Sequence, residues 1–246
     1  MKKNTITFDN GNHAVVVTAG RDTDAQTILK TLDIAQPYGV IMVFGGAKGL
    51  DDSLTARLAE LFNDAIAPAA AELGALIIDG GTQSGVMEMM GEAVARDGRR
   101  PQLLGIAPKG KITHPEVAER SAVSDGTPLE PNHSHFVLVE SNEWGGETTK
   151  MLELARAFNA PVVAILVNGG TIAADEALQS LRNGWRLLVV EGSGRFADDL
   201  SAAVRDGQIA KSAEVSEIVR SGRVALFHFD DPVEKLRDEL RRMLRG

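Results

Sequence analysis

The stretch that decides the fold runs from residue 75 to residue 93 and reads ALIIDGGTQSGVMEMMGEA. Its first four residues are apolar, Asp79-Gly80-Gly81-Thr82 follows as a turn, and a helical pattern begins at about Gln83. Glycine has no Cβ and lets backbone amides approach a ligand closely. The first turn of a helix presents unpaired N–H groups and a partial positive charge. The stretch therefore predicts a strand, a glycine turn and a helix that together can bind phosphate, and the alternative is a turn that merely needs glycine.

Composition excludes several classes of protein. The chain has 246 residues, a formal net charge of −8 and no cysteine, so disulfides, thiolate metal sites and cysteine nucleophiles are absent. A negative net charge disfavours nucleic-acid binding, which depends on Lys and Arg, and an aromatic content of 4% provides few stacking surfaces. The N-terminal residues lack the apolar core of a signal peptide, and no apolar run reaches the roughly 20 residues that span a bilayer. We therefore expect a cytoplasmic protein without a nucleic-acid partner and without membrane association.

Short apolar runs alternate with helical patterns along the chain. Strands are predicted at residues 13–18, 40–44, 75–78, 103–107, 135–140, 161–167, 186–190 and 224–227. Helices are predicted at about 22–33, 51–72 with a bend near Pro68, from 83 onward, 147–158, 171–182, 196–204 and 232–244. Continuous apolar strands between helices are typical of a mostly parallel sheet that is buried on both faces. The predicted fold class is α/β, a doubly wound, Rossmann-like sheet with helices on both faces.

No linker or repeat divides this pattern, so one domain over residues 1–246 is predicted. Its core covers about 13–204, and residues 207–246 are expected as a C-terminal appendage. The pattern is weakest at 207–222. Residues 109–130 form a long polar connection, of the kind that is usually functional or mobile.

Five glycine turns follow predicted strands, at 45–46, 80–81, 145–146, 169–170 and 192–194. In an open parallel sheet the ligand lies at the carboxyl ends of the strands, so these turns predict a backbone-lined groove for a phosphorylated, nucleotide-like ligand. The last turn adds Arg195, whose guanidinium suits phosphate, unless it only begins a helix in solvent. Glu191 would repel phosphate, so it is expected to accept hydrogen bonds from ribose hydroxyls or backbone, with a purely structural role as the alternative.

Two other polar groups are candidates. Asn132 and His133 belong to an Asn-His-Ser-His run that either contacts the ligand or forms a hydrogen-bonded structural cluster. A metal there would need a third ligand that the sequence does not supply, so no metal site is predicted. Glu147 follows Gly145-Gly146 at a predicted helix start, where a carboxylate either complements the helix dipole or faces a ribose or scissile bond.

Six motifs occur in the order seen in one family. They are 79–87 (DGGTQSGVM), 105–110 (GIAPKG), 129–139 (LEPNHSHFVLV), 145–147 (GGE), 161–170 (PVVAILVNGG) and 190–198 (VEGSGRFAD). Over about residues 13–204 the chain resembles the prokaryotic LSDAT branch of the SLOG superfamily, which is similar to the N-terminal cytosolic region of melastatin-type TRP channels. The resemblance implies a Rossmann-like fold that binds nucleotide-derived ligands of the ADP-ribose type. The ligand positions it implies are Gly81, Thr82, Ser84, Gly85, Val86, Gly170, Gly192, Ser193, Gly194 and Arg195.

The same superfamily contains the Lonely guy phosphoribohydrolases, whose motif is Pro-Gly-Gly-x-Gly-Thr-x-x-Glu. Here Trp144 replaces the proline, Thr148 replaces the third glycine, and Glu153 falls one residue late. The expected function is therefore a soluble binding or sensing module, and cleavage of a nucleotide N-glycosidic bond with Glu147 as the catalytic candidate is the alternative.

No cofactor is expected other than a nucleotide-type ligand. The expected protein partners are a second copy of the chain and an effector protein. The complete set of predicted ligand-binding residues is Gly81, Thr82, Ser84, Gly85, Val86, Asn132, His133, Gly145, Gly146, Glu147, Gly169, Gly170, Glu191, Gly192, Ser193, Gly194 and Arg195.

Overall fold

The computed structural model of the chain describes residues 1–114, 116, 126–206 and 212–245. The strands are β1 (Lys2–Thr7), β2 (His13–Ala19), β3 (Val40–Gly45), β4 (Leu76–Asp79), β5 (Leu103–Pro108), β6 (Ile112–Thr113), β7 (Thr127–Pro128), β8 (His135–Val139), β9 (Val162–Val167), β10 (Arg186–Glu191) and β11 (Val224–His228). The α-helices are α1 (Ala25–Leu32), α2 (Asp52–Leu61), α3 (Ala67–Leu73), α4 (Gly85–Arg96), α5 (Thr148–Ala157), α6 (Thr171–Arg182), α7 (Arg195–Asp206), α8 (Ala213–Arg220) and α9 (Val233–Arg245).

Nine of these strands form one sheet in the order β1-β2-β8-β5-β4-β3-β9-β10-β11. Every neighbouring pair is parallel except β1 with β2. Apolar side chains fill both faces, with α1, α5, α6, α7 and α8 on one side and α2, α3, α4 and α9 on the other. The predicted Rossmann-like α/β fold is therefore confirmed.

The strand order determines where a ligand crevice opens at the carboxyl edge of the sheet. From β3 the chain proceeds outward through β4, β5 and β8, and it then returns to place β9 on the other side of β3. Connections that diverge from a central strand leave an opening above the carboxyl ends of the strands at that point. The loops that follow β3, β4, β9 and β10 surround this opening.

Among the described residues, four elements were not predicted from the sequence: β1, the two-residue strands β6 and β7, and α8. β1 pairs antiparallel with β2, and its polar residues suit a strand that is exposed at the sheet edge. The helix α8 lies in the stretch with the weakest pattern and begins after Ser212, whose side chain accepts a hydrogen bond from the backbone N–H of Val215. The edge strand β11 pairs with β10, so the segment expected as a C-terminal appendage extends the same sheet.

Helix boundaries also differ from the prediction. α1 begins at Ala25 because Asp24, rather than Asp22 or Thr23, accepts a hydrogen bond from the backbone N–H of Thr27 at 2.8 Å. The long helix predicted at 51–72 is broken by a π-helical turn at Phe62–Ile66. Pro68 has no N–H and crowds the carbonyl four residues before it, which explains a wider turn just ahead of the proline.

Part of the polar connection at 109–130 lies outside the described residues, as do 207–211 and 246. Within the described ranges, no helix is long and apolar enough to cross a bilayer.

Candidate functional site

The turn after β4 is held very close to its neighbours. Gly81 has φ +66°, and a Cβ there would lie 2.7 Å from the Cα of Gly105 on β5. Gly85, the first residue of α4, has φ +57°, and its Cβ would lie 2.5 Å from the Cα of Ala47. Both positions combine a left-handed backbone with contact to another main chain, so only glycine fits. The backbone of α4 therefore starts directly beside the loop that follows β3.

The predicted residues of this turn contribute backbone rather than side chains. Thr82 and Val86 are buried, and the side chain of Val86 packs against Gly45 at the end of β3. No side chain among the described residues caps the N-terminus of α4 after Ser84. The first N–H groups of α4 thus have no side-chain acceptor among the described residues, which is the condition for binding an anion there.

Arg195 extends from the β10 loop across the loops of β9 and β3. A Cβ at Gly170 would lie 2.7 Å from its Nη2, one at Gly46 would lie 3.5 Å from its Nη1, and one at Gly49 would lie 3.4 Å from its Cδ. The residue is exposed, and no carboxylate in the described part of the chain is within 4 Å of its guanidinium. The crevice therefore contains a cation that is free to bind an anionic group.

The loops under Arg195 are braced by buried side chains. The backbone N–H of Asn168 donates to Ser193 Oγ at 2.8 Å, and Asn168 Nδ2 donates to the carbonyl of Lys48 at 2.8 Å. Both side chains are fully buried, so they fix the loops after β3, β9 and β10 against one another. Asn168 was not among the predicted site residues. Its left-handed backbone at φ +58°, just before a Gly-Gly pair, is typical of asparagine at a turn.

The glycine turn after β10 differs from the prediction. The carboxylate of Asp198 accepts hydrogen bonds from the backbone N–H of Gly192 at 2.7 Å and of Gly194 at 3.1 Å. These two amides are therefore satisfied within the loop, and Ser193 is buried beneath it. This turn positions Arg195 and does not offer its own N–H groups. The α6 N-terminus is different, because in the described residues no side chain caps it after Gly169 and Gly170.

Glu191 forms an ion pair within the protein. Its carboxylate accepts hydrogen bonds from Arg205 Nε at 2.7 Å and Nη2 at 2.5 Å. The hydrogen bond from Arg205 holds the pKa of Glu191 below its usual value. The ion pair with Arg205 favours the structural role of Glu191 over a contact with ribose hydroxyls.

Asn132 and His133 precede β8 and do not line the crevice. His133 is fully buried, with Nδ1 2.7 Å from Glu130 Oε2 and Nε2 2.8 Å from Asp79 Oδ1. Burial by itself lowers the pKa of His133, but the two carboxylates outweigh it and raise it to about 9. Asp79 Oδ1 also accepts the backbone N–H of Gly81 at 2.7 Å. The histidine therefore supports the glycine turn from beneath, as expected of a hydrogen-bonded structural cluster.

Asn132 belongs to the same network. Its backbone N–H and its Nδ2 donate to the two carboxylate oxygens of Glu130, at 2.8 and 2.6 Å. A Cβ at Gly91 of α4 would overlap that carboxylate. The missing side chain of Gly91 is what allows Glu130 to lie against the helix.

Glu147 follows the predicted turn at Gly145 and Gly146, immediately before α5. It is buried, and its Oε2 has no hydrogen-bond partner among the described residues. Burial raises the pKa of Glu147 to about 7. A carboxyl group that is half ionised near neutral pH can either donate or accept a proton.

Glu176 of α6 is a second buried carboxyl group, and the sequence prediction did not select it. Burial, with a smaller contribution from the charge of Glu147, raises the pKa of Glu176 to about 8. It shares the buried face of α6 with Ala173, Ala177 and Ser180. The sequence signal that could have identified Glu176 is its position on the face of α6 that otherwise carries small or apolar residues, because this spacing predicts a buried carboxyl group.

The structure thus brings most of the predicted residues to one rim. The loops after β4, β8, β9 and β10 all leave the carboxyl edge of the sheet, and Arg195 crosses between two of them. Asn132, His133 and Glu191 are instead bound to other side chains of the protein. Among the described residues at this rim, the N-termini of α4 and α6 have no side-chain cap, Arg195 has no ion pair, and Glu147 Oε2 has no hydrogen-bond partner.

Comparison with known proteins supports the resemblance of the motifs. Residues 38–237 match the model of the family described as SLOG in TRPM, prokaryote. The chain is 29% identical to the transient receptor potential cation channel subfamily M member 2 of Mus musculus over 222 residues, which are 74% of this chain and 14% of the channel. It is 30% identical to subfamily M member 7 of Homo sapiens over 234 residues, 80% of this chain and 12% of the channel.

The chain therefore spans only about one seventh to one eighth of the length of these relatives. The predicted family is confirmed by a model that covers most of the chain. The chain belongs to the prokaryotic branch of the SLOG family, the domain that is also found in TRPM channels.

Proposed function

We propose that the rim above β3, β4, β9 and β10 binds a nucleotide-derived ligand through its phosphate. The observation that carries the proposal is the guanidinium of Arg195, which lies unpaired among the described residues across Gly46 and Gly170. Because Gly46 and Gly170 have no side chain, the guanidinium lies directly against the backbone of these loops, and its exposed side is left for phosphate oxygens. ADP-ribose is the first ligand to test, because the resemblance of the motifs implies it.

Two helix termini support the same position for the phosphate. α4 and α6 both start at this rim, and neither N-terminus has a side-chain cap in the described residues. Their free N–H groups and dipoles favour an anion. By contrast, Asp198 occupies the amides at Gly192 and Gly194, which directs the phosphate towards the β4 and β9 loops.

Replacing Arg195 with alanine is expected to weaken ligand binding by about 10- to 100-fold, since a hydrogen bond to a charged group contributes about 1.5–3 kcal/mol. Isothermal titration calorimetry with ADP-ribose, ADP and AMP measures this change. Arg186→Ala is the matched control, because Arg186 is exposed at the other end of the same strand, β10. Equal losses in both variants, or no binding of any of the three ligands at millimolar concentration, would contradict the proposal.

A second function, hydrolysis of a nucleotide N-glycosidic bond, is favoured by one observation. Glu147 and Glu176 are buried carboxyl groups with pKa values raised to about 7 and 8, so at neutral pH one can be ionised while the other is protonated. Such a pair can activate water and protonate the leaving base. Glu153, the nearest match to the Lonely guy glutamate, is half-exposed and paired with Lys150. Any such activity would therefore depend on Glu147.

The hydrolytic function predicts release of free base from AMP, detected by chromatography. Glu147→Gln is expected to reduce the rate at least about 100-fold, because general acid–base catalysis contributes about 10²–10⁴. Glu143→Gln, at an exposed position in the same loop, is the control and is expected to keep the rate. Unchanged AMP after prolonged incubation, or full activity in Glu147→Gln, would reject this function and leave binding.

A further inference from the structure

A cavity of about 760 Å³ lies beside Arg195, between the N-terminal halves of α6 and α7 and the start of α8. The loop at Gly169 and Gly170 separates it from the crevice, and Arg195 lines both. This volume is in the range of small-molecule pockets. The phosphate contacts proposed above share Arg195 and the N-terminus of α6 with this cavity and leave the rest of it unused.

One wall of the cavity is apolar. Leu178 of α6, Phe196 of α7 and Val215 of α8 contribute to it. Leu178 is buried in the helical layer, while the other two are partly exposed. Such a wall packs well against the carbon face of a ring.

The charged residues of the lining are acidic apart from Arg195. Asp175, Asp199 and Glu214 contribute carboxylates, and in the described residues none of them forms an ion pair. Three carboxylates repel a second phosphate group. They also require hydrogen-bond donors, since an ionised carboxylate only accepts.

We propose that this cavity is a subsite for a hydroxyl-rich, uncharged group, namely a sugar, that is joined to the phosphate bound at the rim. The charge of Arg195 disfavours a cationic group in the same cavity, whereas a sugar hydroxyl can donate to Asp175 or Asp199 and accept from Arg195. The hydroxyl of Thr171 provides a further partner. This inference rests on the proposed binding function and assigns the part of the ligand beyond the phosphate.

ADP-ribose is compared with ADP and with the methyl ester of ADP on its terminal phosphate, which carries the same charge as ADP-ribose but lacks the second sugar. We expect the wild-type protein to bind ADP-ribose at least about tenfold more tightly than the methyl ester, the gain of one or two hydrogen bonds to charged groups. In the double variant Asp175→Asn/Asp199→Asn the ratio of the two Kd values is expected to fall towards one. Asp64→Asn, an exposed change on the opposite face of the sheet, is expected to keep the wild-type ratio. Calorimetry at 150 mM salt limits long-range effects of the removed charges.

The outcomes separate the two proposals. If ADP binds, Arg195→Ala weakens it, and the ratio collapses only in the Asp175/Asp199 variant, the subsite is supported. If ADP depends on Arg195 but wild type shows no preference for ADP-ribose, or if the double variant keeps that preference, the subsite is wrong and phosphate binding at the rim stands. If ADP binding does not depend on Arg195, the proposed function fails first and the subsite fails with it.

Discussion

Replacing His133 with alanine is expected to lower the free energy of unfolding by about 3–5 kcal/mol at pH 7, the usual result of removing one partner from a buried ion pair. The imidazolium lies between the carboxylates of Asp79 and Glu130, and all three side chains are almost completely buried. Without it, two carboxyl groups remain in the interior without a cation. Urea unfolding followed by circular dichroism measures the change.

His135→Ala is the matched control for this prediction. His135 is two residues further along, at the start of β8, and burial lowers its pKa to about 4, so it is uncharged at pH 7. Its loss removes packing and a contact to Ser134 but no ion pair. Equal destabilisation by the two substitutions, or a loss below about 1 kcal/mol for His133→Ala, would show that the buried charge is unimportant.

The pH dependence of stability checks the same ion pair independently. The folded pKa of His133, about 9, is above its unfolded value of 6.5. Its contribution is therefore fully present below pH 6.5 and is lost as the pH rises through 9. His133→Gln cannot be protonated in this range, so its stability is expected to decline less between pH 6.5 and 9 than that of wild type.

Replacing Glu176 with glutamine is expected to stabilise the protein more at pH 9 than at pH 4.5, and the difference between the two pH values is expected to be on the order of 5 kcal/mol. Burial raises the folded pKa of Glu176 to about 8 from 4.5. Between these values the unfolded chain releases the proton while the folded protein retains it. The stability of the wild-type protein therefore declines as the pH rises from 4.5 to 8. Glutamine does not titrate, so the contribution of this position to the decline is absent in Glu176→Gln.

Unfolding curves of both proteins at pH 4.5, 7 and 9 measure this difference. Glu60→Gln on α2, an exposed glutamate of the same type, is the control and is expected to change stability by less than about 0.5 kcal/mol at each pH. A constant difference between Glu176→Gln and wild type across the pH range would mean that Glu176 titrates normally in the folded protein.

The sequence predicted the architecture because its signals are local. The apolar runs at β3, β4, β9 and β10 and the glycines after them are read within a few residues, and the structure places each where expected. β1 was missed because its six residues include two lysines and expose most of one face, which weakens the apolar signal. α8 was missed because it is only eight residues long and only Ser216 and Ile218 in it are buried.

The candidate site was predicted less completely, for a physical reason that particular residues illustrate. A glycine after a strand indicates that an amide is accessible, but not whether another group already accepts from it. Asp198 fills that role for Gly192 and Gly194, and Asp79 fills it for Gly81. Likewise Glu191 has a partner in Arg205, which lies 14 residues further along the chain.

By itself, the sequence determined the α/β alternation, the family and the edge of the sheet at which a ligand is expected. Only the tertiary structure decided which donors at that edge are free, that His133 is enclosed by two carboxylates, and that Glu176 lies near Glu147. Strand order is the reason: β3 lies between β4 and β9, so Val40 pairs with Leu76 on one side and with Val162, 122 positions further along the chain, on the other. Hydrogen bonds and charges act over a few ångströms, and their partners depend on that order and not on spacing along the chain.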